Sequence, residues 1–432
     1  MKTMEELGQL KPFQARSIIE ELRKGSVPAQ YVPFFTVGRD NWLTFIEDDL
    51  ANYIAEGGAK VRFLSGDYGD GKTHFMSVIQ HLALQEGFGV SFVILTRETP
   101  IHKFEAVYQA ITQQLHGRFE GVGIRNLLRQ WLYNLAEKAE KEAPSLEQMA
   151  DLAETLRNLP GMNINFANGL TALAHNRFVP LEEGEEQEKR DAAQEIIFHW
   201  FEGGKVTKRE LKPFGIFEVV NKSNSKQLLN SLNVFLRHCE HKGLILLLDE
   251  LETVIAQPAS MRNAAYENVR LLIDNSEHAE YFHIFFSIIP DVLLSEKGFK
   301  SYDALWSRVR SIGQKKKLNY RGVLIDLHRT PLTSKELIEL GRCLRRIHEI
   351  SYRWEAEDSV PDKLVEEVCT NQEKMGLLSE VRLFIKQLIS ILDMAEQGET
   401  PSEELDLEQH IVSSQQEMDQ EKVEQLQPSW DQ

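Results

Sequence analysis

The sequence predicts an α/β fold with a parallel β-sheet, a large helical insertion and a helical C-terminal region. Three apolar stretches, residues 61–64, 89–95 and 243–248, carry the prediction of the sheet. A glycine-rich turn and a helical pattern separate the first two, which predicts a β-α-β unit with parallel strands and a right-handed crossover. Ligands of such sheets bind at the carboxyl ends of the strands, so we expect the functional residues there.

The turn after the first strand fits the pattern G-x-x-x-x-G-K-[ST] without a mismatch. Its eight residues are Gly66, Asp67, Tyr68, Gly69, Asp70, Gly71, Lys72 and Thr73. Glycines at this spacing let backbone N–H groups and a helix N-terminus surround phosphate oxygens. We expect Lys72 to reach the β- and γ-phosphates of a nucleotide and Thr73 to offer its hydroxyl to Mg²⁺. The alternative, an ordinary glycine-rich turn, fits less well with the strand before it and the helical pattern after it.

Two carboxylates, Asp249 and Glu250, follow the third apolar stretch. An apolar run of this kind is typical of a buried parallel strand. We expect Asp249 to hold Mg²⁺ and Glu250 to polarise the attacking water. Buried strands that end in acidic residues are also common without such a role, and it is the pairing with the phosphate loop that favours the functional interpretation.

Composition sets the outer bounds of the prediction. A chain of 432 residues with 42% hydrophobic content can form two or three domains with a sizeable core. Its three cysteines are widely spaced, which favours a reducing, cytosolic compartment. No signal peptide and no stretch of eighteen apolar residues is found, which argues against secretion and membrane insertion. The net charge of −17 argues against broad attachment to a polyanion, so DNA contact is expected only through a local basic groove or a partner.

The remaining elements are predicted to be mainly helical. Helices are expected over residues 13–24, 42–54, 75–85, 103–115, 124–139, 146–159, 228–239, 335–352, 361–370 and 379–395. Residues 27–33 are expected to be extended, because Pro28 and Pro33 disfavour helix in the residues before them. Further strands are expected at 282–290 and 323–327.

These elements predict four regions. Residues 1–100 and 228–330 form the sheet core, 101–227 a helical insertion, 331–395 a small helical domain, and 396–432 an acidic tail that we expect to be disordered. Within the insertion, the acidic segment 180–190 is expected to be exposed. A basic cluster in the insertion is interpreted as a solvated helix face in preference to a nucleic-acid site; it comprises Lys205, Lys208, Arg209 and Lys212.

Several of these residues resemble the nucleotide site of AAA+ ATPases of the initiator type. The turn Val37-Gly38-Arg39 lies about thirty residues before the phosphate loop, where the resemblance implies a grip on adenine; a plain loop is the alternative. Ser287 is polar in an apolar strand, and the resemblance implies a sensor beside the γ-phosphate; a satisfied core serine is the alternative. The implied fold is an AAA+-like P-loop NTPase whose helical lid carries a phosphate-sensing arginine, Arg382.

The stretch 302–310 supplies candidate arginines for a neighbouring subunit. Arg308 or Arg310 is expected to reach the neighbour's nucleotide, because an arginine there neutralises charge on the transferred phosphoryl group. The alternative is a surface arginine in a salt bridge. If one of them acts across subunits, the chain forms an ATP-dependent homo-oligomer.

Over residues 10–395 the chain also resembles the P-loop ATP-binding proteins of bacterial phage-exclusion systems, the BREX BrxD-like ATPases among them. The resemblance rests on the segments 35–39, 66–74 with His74 at its end, 104–108, 243–252, 268–270 and 302–308. Similar ATPases occur in Shango-type defence operons, beside a helicase. One departure is Ile289-Pro290, where such proteins tend to have Thr-Pro, and it bears on the sensor assignment of Ser287.

Two classes of function follow from this resemblance. The first is a Mg²⁺-dependent ATP-hydrolysing switch or motor of a defence complex on DNA, with defence-system proteins and a helicase as partners. The second is a scaffold that senses ATP without turnover. Glu250 favours the first, because a binding module has no need of a water-polarising carboxylate beside Asp249. A small-molecule kinase is a poorer third interpretation, since no arginine-rich substrate lid is evident in the insertion.

Overall fold

The computed structural model describes residues 4–138, 146–180, 186–276, 280–310 and 318–399. The chain divides into two compact units. The described residues up to Thr44, together with Leu64–His81 and the segment from Ile325 onwards, form the first unit. The second unit contains Phe45–Phe63 and Leu82–Leu324. The predicted division into core, insertion and lid stays a prediction.

A mostly parallel β-sheet organises the fold. In the described residues its strands are β1 (Ala59–Ser65), β2 (Gly89–Ile94), β3 (Leu115–His116), β4 (Leu244–Asp249), β5 (Phe282–Ile288) and β6 (Leu324–Asp326), in the spatial order β3-β2-β4-β5-β1-β6. Strand β4 pairs in parallel with β2 and β5, in a register that sets Ile245 opposite both Val90 and His283. Strand β3 is antiparallel to β2. The α/β prediction with a largely parallel sheet is therefore confirmed.

Helices connect and flank these strands. Those in the described part of the chain are α1 (Met4–Leu7), α2 (Pro12–Arg23), α3 (Asp40–Asp49), α4 (Lys72–Glu86), α5 (Phe104–Gln113), α6 (Ile124–Lys138), α7 (Leu146–Asn158), α8 (Ile164–Phe178), α9 (Gln187–Phe201), α10 (Lys208–Leu211), α11 (Ser225–His238), α12 (Ala259–Ser276), α13 (Pro290–Leu294), α14 (Asp303–Val309), α15 (Ser334–Tyr352), α16 (Asp362–Lys374) and α17 (Val381–Glu396). Short 3₁₀ segments lie at Ala29–Phe34, Lys212–Phe214, Leu251–Val254 and Phe299–Ser301, and a π-helical turn at Leu50–Ile54 extends α3. None of the helices in these described ranges is long and apolar enough to cross a membrane.

The second unit has one continuous hydrophobic core. Every residue of β4 is buried, as a strand covered on both faces requires. The helices of the predicted insertion share this core, since Phe166 of α8 packs on Phe201 of α9 and on Phe235 of α11, with ring centres 4.8 and 6.1 Å apart. Such aromatic contacts bury large apolar areas, and these helices belong to the same hydrophobic core as β4.

The first unit is built largely from helices. Arg23 of α2 is bonded to Asp393 of α17 at 2.7 and 2.9 Å and to the Tyr352 hydroxyl of α15 at 2.9 Å. His348 of α15 reaches the same carboxylate at 3.0 Å. Gly341 lets α15 approach α16 so closely that a Cβ there would lie 2.4 Å from a methyl group of Val365.

Most predicted elements are present within a few residues of their expected bounds. The extended conformation predicted for 27–33 is wrong, since Ala29–Phe34 forms a 3₁₀ helix. The φ angle that the proline ring imposes suits a 3₁₀ helix as well as an extended chain. Strand β3 was not predicted. The acidic segment predicted to be exposed is exposed at residues 180 and 186–189, but Arg190 is buried. Glu396, the first residue of the expected acidic tail, still belongs to α17. Residues 181–185 of the segment and residues 400–432 of the tail lie outside the described residues.

Candidate functional site

The glycine-rich turn lies between the end of β1 at Ser65 and the start of α4 at Lys72. Gly69 and Gly71 have φ angles of +92° and +83°. L-residues with side chains rarely adopt these angles, so the path of the turn depends on glycine at both positions. The turn leads directly into α4, whose first N–H groups have no acceptor within the helix.

The side chain of Lys72 folds back over the turn. Its ammonium group donates hydrogen bonds to the carbonyl oxygens of Gly66 at 3.0 Å and of Asp67 at 3.3 Å. It also lies 5.1 Å from the centre of the Tyr68 ring. Lys72 is only 6% exposed, so a positive charge is held inside the turn beside the N-terminus of α4. This combination favours binding of an anion.

The Asp70 side chain forms a hydrogen bond within the turn. Its Oδ2 atom accepts a hydrogen bond from the backbone N–H of Asp67 at 2.7 Å, and burial raises the pKa of the Asp70 carboxyl group. Potential ligand atoms of Asp67, Asp70 and His328 lie within 4.8 Å of one another. Asp67 and His328 are exposed, and the Asp70 carboxylate already serves the turn, so we interpret this group as part of the loop's own hydrogen bonding.

A segment before α3 contacts the loop and the start of α4. Nε2 of His74 lies 3.0 Å from the hydroxyl of Thr36, and the rings of His74 and Phe35 are centred 5.1 Å apart. Nη2 of Arg39 donates to the backbone carbonyl of Asp70 at 2.5 Å. Desolvation lowers the pKa of His74 to about 3 and that of Arg39 to about 10. His74 is therefore neutral and Arg39 charged at neutral pH.

The turn that carries Arg39 has a special backbone. Val37 is buried, Gly38 has a φ of +66°, and Arg39 itself has a φ of +61°. A Cβ on Gly38 would lie 2.5 Å from a carboxylate oxygen of Glu336, near the N-terminus of α15. Glycine is therefore required at position 38 by both its backbone angle and its neighbour.

The predicted carboxylates lie together in the second unit. Asp249 ends β4 and is 1% exposed, and Glu250 follows in the left-handed region with a φ of +62°. Oδ1 of Asp249 accepts hydrogen bonds from the N–H of Glu250 at 3.0 Å and from the hydroxyl of Ser287 in β5. The Ser287 oxygen is itself 3.0 Å from the same N–H. The serine singled out in the sequence thus adjoins both acidic residues.

Comparison with known proteins supports the interpretation of these motifs. A family model described as "BREX system ATP-binding protein BrxC/D" matches residues 10–414, which include the glycine-rich turn and both carboxylates. The chain belongs to the BrxC/D family of BREX system ATP-binding proteins. A search of curated proteins and a search of solved structures each return no match. Membership confirms the predicted resemblance, identifies ATP as the ligand, and implies partners within a defence system.

The predicted phosphate-sensing arginine of this BrxC/D protein lies at the start of α17. The Cβ atom of Arg382 would be 3.9 Å from a Cβ built on Gly69 of the loop. Its guanidinium group lies at Gly25, where an added Cβ would meet Nη2 at 2.3 Å. The stem of Arg382 therefore approaches the loop in the first unit, while its charged end lies against the turn after α2.

The two candidate arginines for a neighbouring subunit differ in their surroundings. Arg308 contacts Asp274 of α12 through two hydrogen bonds, at 2.5 and 3.1 Å, and its side chain is 36% exposed. Arg270 reaches the same carboxylate at 2.6 Å. Arg310 follows the end of α14 and is exposed. The salt-bridge alternative is therefore realised for Arg308 within its own chain.

The predicted metal ligands have suitable chemistry for Mg²⁺. This ion prefers oxygen ligands and keeps several waters, so it is bound by one or two protein groups together with substrate phosphates. The carboxylate of Asp249 and the hydroxyl of Thr73 supply such oxygens. Asp249 is fixed by Ser287 and by the N–H of Glu250, as described above. Each group therefore has the chemistry of a Mg²⁺ ligand, and their coordination of one ion stays a prediction.

Some residues at these sites were not found by sequence reasoning. His328, beside Asp67, and Glu336, beside Gly38, are more than 250 residues from their partners, and nothing local in the sequence indicates the contact. The basic cluster of the insertion agrees with its solvated interpretation, since Lys205, Lys208, Arg209 and Lys212 are all exposed.

Proposed function

We propose that this BrxC/D protein hydrolyses ATP with Mg²⁺ and acts as a switch or motor of an anti-phage complex in the cytoplasm, with a helicase partner on DNA. The observation that carries the hydrolytic part is the arrangement of Asp249, Glu250 and Ser287. The backbone N–H of Glu250 lies 3.0 Å from both Asp249 Oδ1 and Ser287 Oγ. These contacts fix the backbone position from which the Glu250 side chain extends. A general base must be held within reach of its water, and a fixed backbone serves that purpose.

Each group then has a distinct task. Lys72 and the N–H groups at the start of α4 bind the phosphates, and Thr73 with Asp249 would hold Mg²⁺, which neutralises charge on the phosphates when bound. Glu250 accepts a proton from the attacking water. The loop carbonyls that now hold the Lys72 ammonium group keep it inside the turn before a nucleotide arrives. Phosphoryl transfer depends mainly on such positioning and on charge stabilisation.

Replacing Glu250 by glutamine tests hydrolysis separately from binding. The Glu250→Gln variant should bind ATP with parental affinity but turn it over about 10²–10⁴ times more slowly, because an amide keeps the shape and cannot accept the proton. Binding is measured by calorimetry and turnover by phosphate release. Glu252→Gln, which removes a carboxylate two residues further along the same 3₁₀ turn, serves as the matched control and should retain most of the rate.

Lys72→Ala completes the test. It should lose both binding and turnover, since it removes the charge that the turn encloses. Turnover at the parental rate in Glu250→Gln would make Glu250 a structural carboxylate, and ATP binding without turnover in the parental protein would make the protein a nucleotide-sensing scaffold, the alternative function. Undiminished turnover in Lys72→Ala would show that the nucleotide is bound elsewhere in the chain.

A further inference from the structure

We infer that Arg39 is a positioning residue of the phosphate loop, which holds the Asp70–Gly71 peptide group so that the N–H of Gly71 faces the bound phosphates. This inference rests on the proposed nucleotide site and assigns Arg39 a task within it. The sequence-based expectation was different, because it placed Arg39 against adenine. All the contacts that carry the inference lie within the first compact unit.

Arg39 fixes the direction of one peptide group of the loop. The carbonyl oxygen of Asp70 accepts a hydrogen bond of 2.5 Å from Nη2 of Arg39. Peptide groups throughout the described residues are trans, so the carbonyl and the N–H of one group point in opposite directions. A carbonyl fixed on Arg39 therefore turns the N–H of Gly71 away from the arginine. In a loop of this pattern, backbone N–H groups are the ligands of the phosphates.

Gly71 makes this peptide group free to rotate. Its φ of +83° is open to glycine and strained for other residues, so the peptide group before it has unusual freedom to rotate. A Cβ built on Gly71 would lie 3.7 Å from Nη1 of Arg39. The guanidinium group thus lies beside a glycine of the loop whose backbone is free to adopt other angles. A charge-assisted hydrogen bond to the carbonyl supplies that restraint.

Several contacts hold Arg39 itself in place. Its guanidinium carbon lies 5.9 Å from the centre of the Phe75 ring in α4, and the carboxylates of Asp70 and Glu336 attract its charge. Its own backbone adopts a φ of +61°, which side-chain-bearing residues rarely do unless their surroundings impose it. Contacts to α4, to the loop and to α15 together fix the direction from which Arg39 approaches Asp70.

This role predicts a loss of phosphate affinity that is independent of the base. In competition against a fluorescent ATP analogue, Arg39→Met should weaken binding of Mg²⁺-ATP and of Mg²⁺-tripolyphosphate by the same factor, tenfold or more. The ratio of ATP to GTP affinity should not change. Arg39→Lys should recover part of the loss, because an ammonium group can donate to one carbonyl but lacks the planar fork.

Arg16→Met is the matched control, because it also removes an arginine from the first unit. Arg16 lies in α2, forms an ion pair with Glu20 and packs on the ring of Tyr352. It should bind both competitors like the parental protein, and thermal melting of all variants checks folding. Loss of ATP affinity with parental tripolyphosphate affinity, or a collapse of ATP-to-GTP selectivity, would assign Arg39 to the base and overturn the inference.

Parental affinities in folded Arg39→Met would also overturn it. Should tripolyphosphate not displace the analogue from the parental protein, the ATP-to-GTP ratio decides alone. A parental protein that does not bind ATP contradicts the proposed nucleotide site instead, so the two failures are distinguishable.

Discussion

His74 illustrates how a single residue of the loop region links stability to pH. The pKa of a histidine is about 6.5 in an unfolded chain, and desolvation lowers that of His74 to about 3 in the folded protein. As the pH falls through 6.5, the unfolded chain takes up a proton that the folded chain does not. The stability associated with neutral His74 is therefore fully present above pH 6.5 and is lost progressively below it.

The His74→Gln variant tests this linkage, because an amide can still reach Thr36 but does not titrate. Between pH 6.5 and 5.5 the parental protein should lose about 1 kcal/mol more unfolding free energy than the variant does, as expected for one proton bound on unfolding. Urea unfolding at the two pH values measures the difference. His175→Gln, which removes an exposed histidine, should keep the parental pH dependence; equal slopes for all three proteins would contradict the assignment.

Residues that belong to a local sequence motif could be predicted, whereas contacts between residues far apart in the chain could not. The loop and the Asp249-Glu250 pair lie where their motifs predict, and Ser287 stood out because its strand is otherwise apolar. Arg39 and Asp70 are 31 positions apart, and no periodicity links them. Fully buried Arg62, within β1, was also missed as a core residue, since its partner Asp49, at 2.6 Å, comes from α3.

Helices and strands could be predicted where the apolar residues follow one clear pattern along the sequence. Strand β4 and helix α4 follow directly from an apolar run and from a phosphate-loop helix start. Strand β3 has only two residues, too few to show a period, and the proline φ angle suits a 3₁₀ helix at Ala29–Phe34 as well as an extended chain. The bounds of α15 were predicted to within one residue because Thr333 and Glu336 form a capping box.

The contact between α15 and α16 depends on Gly341. A Cβ there would lie 2.4 Å from Cγ1 of Val365 and 3.2 Å from atoms of Leu388 and Phe384. Val365 is β-branched and buried in a helix, so it cannot easily rotate away. Overpacking costs about 1–3 kcal/mol, against about 1 kcal/mol gained by replacing a helical glycine with alanine. We expect Gly341→Ala to destabilise the protein by roughly 1 kcal/mol.

A double-mutant cycle separates the two effects. Val365→Ala removes the methyl group that lies nearest to a Cβ at residue 341, so Gly341→Ala should cost less in that background than in the parental protein. The approaches of 3.2 Å to Leu388 and Phe384 remain. Unfolding free energies of the four proteins, from urea denaturation, give the coupling. The same loss in both backgrounds would show that the close approach of α15 and α16 does not limit residue 341.

Hydrolysis requires the whole molecule to neutralise the negative charge of bound ATP. Mg²⁺-ATP retains net negative charge, and Lys72 is the cation that the loop encloses. Efficient hydrolysis commonly uses one more arginine, which other phosphoryl-transfer enzymes take from their own chain or from a partner. Arg308 is held on Asp274 of its own chain, so a role across subunits would require it to leave that carboxylate. Exposed Arg310 has no such ion pair among the described contacts.

If Arg308 or Arg310 completes a neighbour's site, turnover per subunit should rise with protein concentration. Arg308→Ala or Arg310→Ala should each be tested alone and mixed with Lys72→Ala subunits. In a mixture, the intact loop of an Arg308→Ala or Arg310→Ala subunit can meet the intact arginine of a Lys72→Ala subunit. Hydrolysis should therefore return on mixing for whichever arginine acts across the interface. Arg321→Ala removes an exposed arginine paired with Asp48, and it should keep the parental rate as the control. A concentration-independent rate without rescue on mixing would mean that each subunit completes its own site, and Arg308 would then serve only to join α14 to α12.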